Sequence, residues 1–88
     1  MAQLGLDPEQ MAKLSKTMKS EADRIEGAAK TIGGQLRSVW WKGKDADKFT
    51  SRWEGQHNKA IMDAARMLRE ASGDIDKQVS EQQQASGA

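Results

Sequence analysis

Residues 39–45 read Val-Trp-Trp-Lys-Gly-Lys-Asp and stand at the middle of an 88-residue chain, between two long amphipathic patterns. Gly43 suits a reversal of the chain, because glycine adopts positive φ at no steric cost. Asp45 suits the N-cap of a following helix, since its side chain can accept from free backbone N–H groups. We therefore predict a turn over residues 41–45, which includes Trp41 and Gly43.

Before this turn, apolar residues recur at steps of three and four, which is the spacing of one face of an α-helix. Asp7 followed by Pro8 is a typical helix start, because aspartate caps the first N–H groups and proline fits the first helical position. The sequence predicts a first helix over about residues 8–40, with a soft spot at Gly33-Gly34. The stripe consists of Met11, Leu14, Met18, Ala22, Ile25, Ala29, Ile32, Leu36 and Val39.

A second stripe with the same helical spacing follows the turn and predicts a helix over about residues 46–79. Residues 80–88 are polar and are predicted to be a disordered tail. A connection this short between two long helices favours an antiparallel hairpin. The second stripe consists of Ala46, Phe49, Trp53, His57, Ile61, Ala64, Leu68, Ala71, Ile75 and Val79.

Two single-stripe helices make a thin rod with little shielded interior, and a second hairpin is the usual completion of such a rod. We therefore predict an all-α hairpin that dimerises into a four-helix bundle, as one domain spanning residues 1–88. Tryptophan, which is enriched at the centres of interfaces, supports pairing. The predicted packing and interface residues are Leu14, Met18, Ile25, Ile32, Leu36, Phe49, Trp53, Ile61 and Leu68.

The composition excludes several functional classes. Fourteen basic and 13 acidic residues give a net charge of +1, which argues against a nucleic-acid binder. The chain has no Cys and a single histidine, His57, so it offers no metal-ligand set, and we predict neither a metal nor a cofactor. No phosphate loop or nucleophile elbow is present, and no enzyme activity is expected. No apolar run is long enough to span a bilayer, and the N-terminus lacks the basic region of a secretory signal.

The Trp41-x-Gly43 triplet at the centre of a helical pair, followed by Ala46, Phe49 and Trp53, resembles a known family. This is the WXG-motif (WXG-hundred, early-secretory-antigen-like) family of small substrates of the type VII (ESX) secretion system. The resemblance covers essentially the whole chain. A second triplet, Trp53-Glu54-Gly55, falls within the second predicted helix and is interpreted as incidental.

The resemblance implies a hairpin that pairs with itself or with a related WXG-like chain into a four-helix bundle. It implies export without a signal peptide, from the cytoplasm, by a secretion machine driven by a membrane ATPase. Members of the family act as secreted effectors, in virulence or between bacteria, or as escorts of larger effectors. They are not enzymes. The competing hypothesis is an intracellular adaptor, or chaperone-like partner, of a larger toxin that is not itself exported.

The sequence departs from the family at its C-terminal export signal, a tyrosine followed four residues later by an acid. This chain has no tyrosine, although Asp74, Asp76 and Glu81 supply acids in that region. Export then depends on a signal carried by a partner chain. The predicted export or partner contacts are Trp40, Trp41, Asp74 and Asp76. Trp40 is expected to be more exposed than Trp41, because the stripe already ends at Val39.

Overall fold

The computed structural model describes residues 5–87, which form an antiparallel helical hairpin. Helix α1 spans Pro8–Ser38, and the second arm comprises α2 (Lys44–Arg52), a π-helical segment (Trp53–His57) and α3 (Asn58–Gly87). The arms lie side by side in a rod that measures 67 × 17 × 16 Å. The prediction of an all-α hairpin is confirmed.

Helix α1 begins as the sequence predicts. The Asp7 carboxylate accepts hydrogen bonds from the backbone N–H groups of Glu9 (2.9 Å) and Gln10 (3.1 Å), and Pro8 occupies the first turn. The helix ends at Ser38, two residues before the predicted end, because Val39 is extended. As predicted, α1 continues through Gly33 and Gly34 and does not end there.

The turn lies slightly earlier than predicted. Gly43, rather than Asp45, is the N-cap of α2, with φ +116° and ψ −179°. The Gly43 carbonyl accepts from the N–H of Asp47 at 3.0 Å, so the helix starts at Lys44 and Asp45 lies in its first turn. A negative charge in that position still stabilises the helix through its dipole.

Replacing Gly43 with alanine is expected to destabilise the hairpin by about 1–3 kcal/mol, because this backbone conformation is essentially restricted to glycine. Chemical unfolding followed by circular dichroism measures the effect. Gly27→Ala is the matched control: Gly27 is helical, its added Cβ meets no atom within 4 Å, and alanine favours the helix by about 1 kcal/mol. Equal stabilities for the two variants would contradict the assignment of the reversal to Gly43.

The second arm is longer than predicted. Residues 80–87, predicted as part of a polar tail, continue α3 to Gly87. Glutamate, glutamine and alanine dominate residues 81–85, and all three are good helix formers. A helix that is already nucleated adds such residues at little cost.

The line along which the arms touch is formed by small residues. The fully buried residues in α1 recur every seven positions, at Ser15, Ala22 and Ala29. In the second arm, Ala65 and Ser72 are fully buried and also lie seven positions apart. This differs from the predicted arrangement, in which the two stripes bury their large side chains against each other. Small side chains let two backbones approach closely, so the large residues of each stripe lie beside the line of contact rather than in it.

The π-helical segment keeps the second arm in register with α1. The residues of the second arm that face α1 are Ala46, Trp53, Asn58, Ala65 and Ser72. The intervals between them are seven, five, seven and seven residues. A π-helical turn accommodates one extra residue, which the five-residue step requires. The segment starts at Trp53, so the triplet interpreted as incidental marks a structural feature.

Candidate functional site

The hairpin carries one continuous apolar face. With 3.6 residues per turn, Leu14, Ile25 and Ile32 lie roughly 60 to 80° to one side of the contact line of α1. Ile61, Leu68 and Ile75 occupy the same side of α3. We call this surface the apolar face, formed by Leu14, Met18, Ile25, Ile32, Ile61, Leu68 and Ile75.

The apolar face is only partly covered within one hairpin. Leu14 is 46% exposed and Ile32 is 44% exposed, and no other part of the described chain packs over them. The remaining members of the face are half-buried. Complete removal of a large aliphatic side chain from water supplies about 1.5–3 kcal/mol. Side chains that are half-buried in one hairpin have gained only part of this free energy, and burial against a partner would supply the rest.

The opposite edge of the contact line is charged and bridged by ion pairs, and we call it the ion-paired edge. Arg69 of α3 binds Glu26 (2.9 Å) and Asp23 (2.8 Å) of α1, and Lys19 binds Asp76 at 2.9 Å. The paired residues lie roughly 30 to 60° from the contact line on both helices, on the side opposite Ile25 and Leu68. Asp23 is the exception, because it lies farther round α1 from the contact line. The hairpin thus has two unlike edges.

A buried polar cluster ties the two arms together near their free ends. The Ser15 hydroxyl donates to Asp76 at 2.5 Å, and the Ser72 hydroxyl donates to the Ser15 carbonyl at 3.1 Å. The two hydroxyl oxygens lie 2.6 Å apart. Because both serines are buried and engaged with each other, the cluster fixes the alignment of the arms and presents no exposed nucleophile.

These contacts lower the pKa values of the carboxyl groups involved. The hydrogen bond from Ser15, together with Lys19, holds the pKa of Asp76 below its ordinary 3.8. The hydrogen bond from Arg69 lowers the pKa of Glu26 from 4.5. Both groups therefore release their protons more readily in the folded chain than in the unfolded chain.

The hairpin is accordingly expected to lose stability in acid. A lowered carboxyl pKa contributes stability that is complete above the unfolded-state value near 4 and is lost as the pH falls through the folded-state value. The melting temperature should therefore be constant above about pH 5 and should fall as the pH is lowered from about 5 to about 2. In Asp76→Asn the fall should be smaller, with a lower melting temperature at pH 6. An equal fall in both proteins would contradict the role assigned to Asp76.

The tip of the hairpin exposes a cluster of aromatic rings. Trp40 is 85% exposed and Trp41 is 46% exposed, in the order that the sequence predicts. The rings of Trp41 and Phe49 lie 5.5 Å apart, so Trp41 folds against α2 while Trp40 points away. The tip thus extends the exposed apolar surface to the end of the rod.

Asp74 and Asp76, the predicted contact residues near the C-terminus, differ in whether they are engaged within the hairpin. Asp74 is exposed on α3 and forms no ion pair within residues 5–87. Asp76 is engaged with Ser15 and Lys19 inside the hairpin. The predicted aromatic and acidic contacts are not brought together within one chain, because the tip and the free ends lie at opposite ends of the rod.

Sequence reasoning missed the polar partners that hold the arms together, above all Ser15, Ser72 and Arg69. The seven-residue spacing of Ser15, Ala22 and Ala29 was the available signal. Such small residues mark the line of closest approach, whereas the predicted stripes followed the larger side chains beside it.

Comparison of the chain with protein-family models, with curated proteins and with solved structures found no match. Among the helices of residues 5–87, none combines the length and the apolar character that crossing a bilayer requires.

Proposed function

We propose that this chain is a non-enzymatic pairing subunit that joins another hairpin through its apolar face to form a four-helix bundle. The observation that carries the proposal is the half-exposed row of aliphatic side chains, with Leu14 and Ile32 the most exposed members of the face. Burial of this row against an equivalent row would complete a two-layer rod into a bundle.

The surface area supports pairing of this kind. The hairpin exposes 6721 Å², whereas a compact monomer of 9.7 kDa exposes about 5,100 Å². The excess, about 1,600 Å² per chain, is surface that a thin rod leaves in contact with water and part of which a second hairpin would cover.

We further propose that the bundle is a substrate or escort of a type VII secretion system, as the resemblance around Trp41 and Gly43 implies. Its partner is a second copy or a related WXG-like chain, and the bundle is recognised by the secretion ATPase, alone or with a larger effector. The exposed Trp40 and Trp41 at the tip support a role in contacts outside the hairpin. Export by this route places the chain in the cytoplasm first and outside the cell afterwards.

Two measurements test the proposal separately. Size-exclusion chromatography with light scattering, on the chain alone and with the product of the neighbouring gene, should give the mass of a dimer in at least one sample. Culture filtrates should contain the chain when the secretion ATPase is intact and lack it when the ATPase is deleted. A monomer in every sample would overturn the pairing, and retention in cells despite an intact ATPase would favour the intracellular adaptor.

A further inference from the structure

A groove interrupts the ion-paired edge at the π-helical segment. Toward the free ends, ion pairs made by Lys19 and Arg69 bridge this edge. Beside the π-helical segment no such bridge forms within residues 5–87, and a groove opens between α1 and the second arm. We call it the Gly33 groove; it is lined by Ala29, Lys30, Gly33, Leu36, Arg37, Trp53, Glu54, Asn58 and Met62.

Two N–H donors converge on the floor of the Gly33 groove. A Cβ atom added at Gly33 would lie 3.5 Å from Nη1 of Arg37 and 3.6 Å from Nε1 of Trp53. Neither donor has an acceptor among the described residues, and neither Arg37 nor Lys30 is in an ion pair there. Gly33 itself is buried, and the guanidinium and the indole N–H lie close together over it, on the wall of the groove.

We propose that the Gly33 groove binds a segment of a partner protein that presents one carboxylate beside an apolar side chain. The carboxylate would accept hydrogen bonds from Arg37 and Trp53, since guanidinium–carboxylate contacts are among the strongest polar contacts in proteins. The neighbouring apolar side chain would rest on Leu36 and Met62, which line the same groove.

The charges of the rim select a single carboxylate over a polyanion. Lys30 and Arg37 supply two positive charges, and Glu54 supplies one negative charge on the same rim. A phosphodiester backbone or a phosphorylated side chain would bring excess negative charge toward Glu54, and like charges at short range repel. A single carboxylate brings the net charge of the rim from +1 to zero.

The groove stays open in the proposed bundle. Arg37, Lys30 and Met62 lie on the side of the contact line that carries the ion pairs, whereas pairing uses the apolar face on the other side. Binding in the groove therefore does not depend on whether the hairpin dimerises or is exported, and a binding experiment on the single chain measures neither property.

The indole N–H resonance of Trp53 in ¹H–¹⁵N spectra of the full chain is a direct probe, assigned with Trp40→Phe and Trp41→Phe. We expect the dipeptide N-acetyl-leucyl-glutamate amide to shift this resonance saturably. The matched N-acetyl-leucyl-glutamine amide should bind about tenfold more weakly, because it lacks the charge. An unmoved resonance, or equal shifts with both dipeptides, would overturn the proposal.

Gly33→Ala separates binding from folding. Its methyl group makes only ordinary contacts, so the fold is retained and the helix is favoured, but the methyl stands within 3.6 Å of both nitrogens and crowds the position from which a carboxylate would reach them. We expect Gly33→Ala to lose the response of Trp53 to the acidic dipeptide while its melting temperature is unchanged or raised. Gly27→Ala, whose Cβ meets open space, should respond as the unaltered chain does. An undiminished response in Gly33→Ala would refute the site.

Discussion

Ile32→Asp is expected to elute as a monomer under conditions in which the unaltered chain forms the proposed bundle. Ile32 is 44% exposed in the single hairpin, so an aspartate there remains hydrated and the hairpin folds. In the bundle the same carboxylate would be buried without a partner, and the burial of the isoleucine would be lost. We expect the bundle to weaken by at least about 4 kcal/mol, or roughly a thousandfold in dissociation constant.

Light scattering coupled to size-exclusion chromatography gives the mass, and circular dichroism confirms that the variant is helical. Thr31→Asp is the matched control, since Thr31 is exposed and lies on the outer side of α1, away from both edges. Thr31→Asp should keep the mass of the unaltered chain. A dimer in Ile32→Asp would show that the apolar face is not the pairing surface.

Ala22→Leu is expected to destabilise the hairpin itself, by about 3 kcal/mol. Ala22 is completely buried where the two arms touch, and leucine has nearly the same helix propensity as alanine, so the cost arises from packing. The larger side chain forces the arms apart. It also lengthens the neighbouring contacts of Ser15 with Ser72 and of Glu26 with Arg69, which depend on the same separation.

Urea unfolding followed by circular dichroism measures this effect. Ala60→Leu provides the comparison, because Ala60 is exposed and lies two residues after Asn58, on the outer side of α3 away from α1. Its stability should lie within about 0.5 kcal/mol of the unaltered chain, as for ordinary surface substitutions. If Ala22→Leu were equally stable, the arms would not be closely packed at that point.

Helical spacing and the glycine of the turn were sufficient to predict the hairpin. Steps of three and four define a helix whatever lies opposite it, and positive φ at Gly43 follows from local sterics. Asp7 capped α1 as expected, because an N-cap is also a local interaction.

The line of contact between the arms could not be read from the same pattern. A stripe as wide as that of α1 contains both small and large residues, and hydrophobicity alone does not distinguish Ala22 from Ile25 as the closer neighbour. The choice depends on how near the second arm comes, which is a property of two helices together. The hydrogen bonds of Ser15 and the Gly33 groove follow from that separation, and they were missed for the same reason.

The end of α3 was also misjudged, for a different reason. The polarity of residues 80–88 predicts disorder, whereas glutamine and glutamate extend a helix that has already formed. Composition predicts the absence of a core, which is a separate matter from the absence of a helix.

The extra residue in the π-helical segment sets the rotation of α2 relative to α3 about the axis of the second arm. Deleting Gly55 would turn this segment into ordinary α-helix and improve its local hydrogen-bond geometry. The same deletion would rotate everything before it by about 100° about the helix axis, carrying Ala46 and Trp53 off α1. A shorter and more regular sequence would thus be the poorer hairpin, with an aromatic tip aimed to the wrong side.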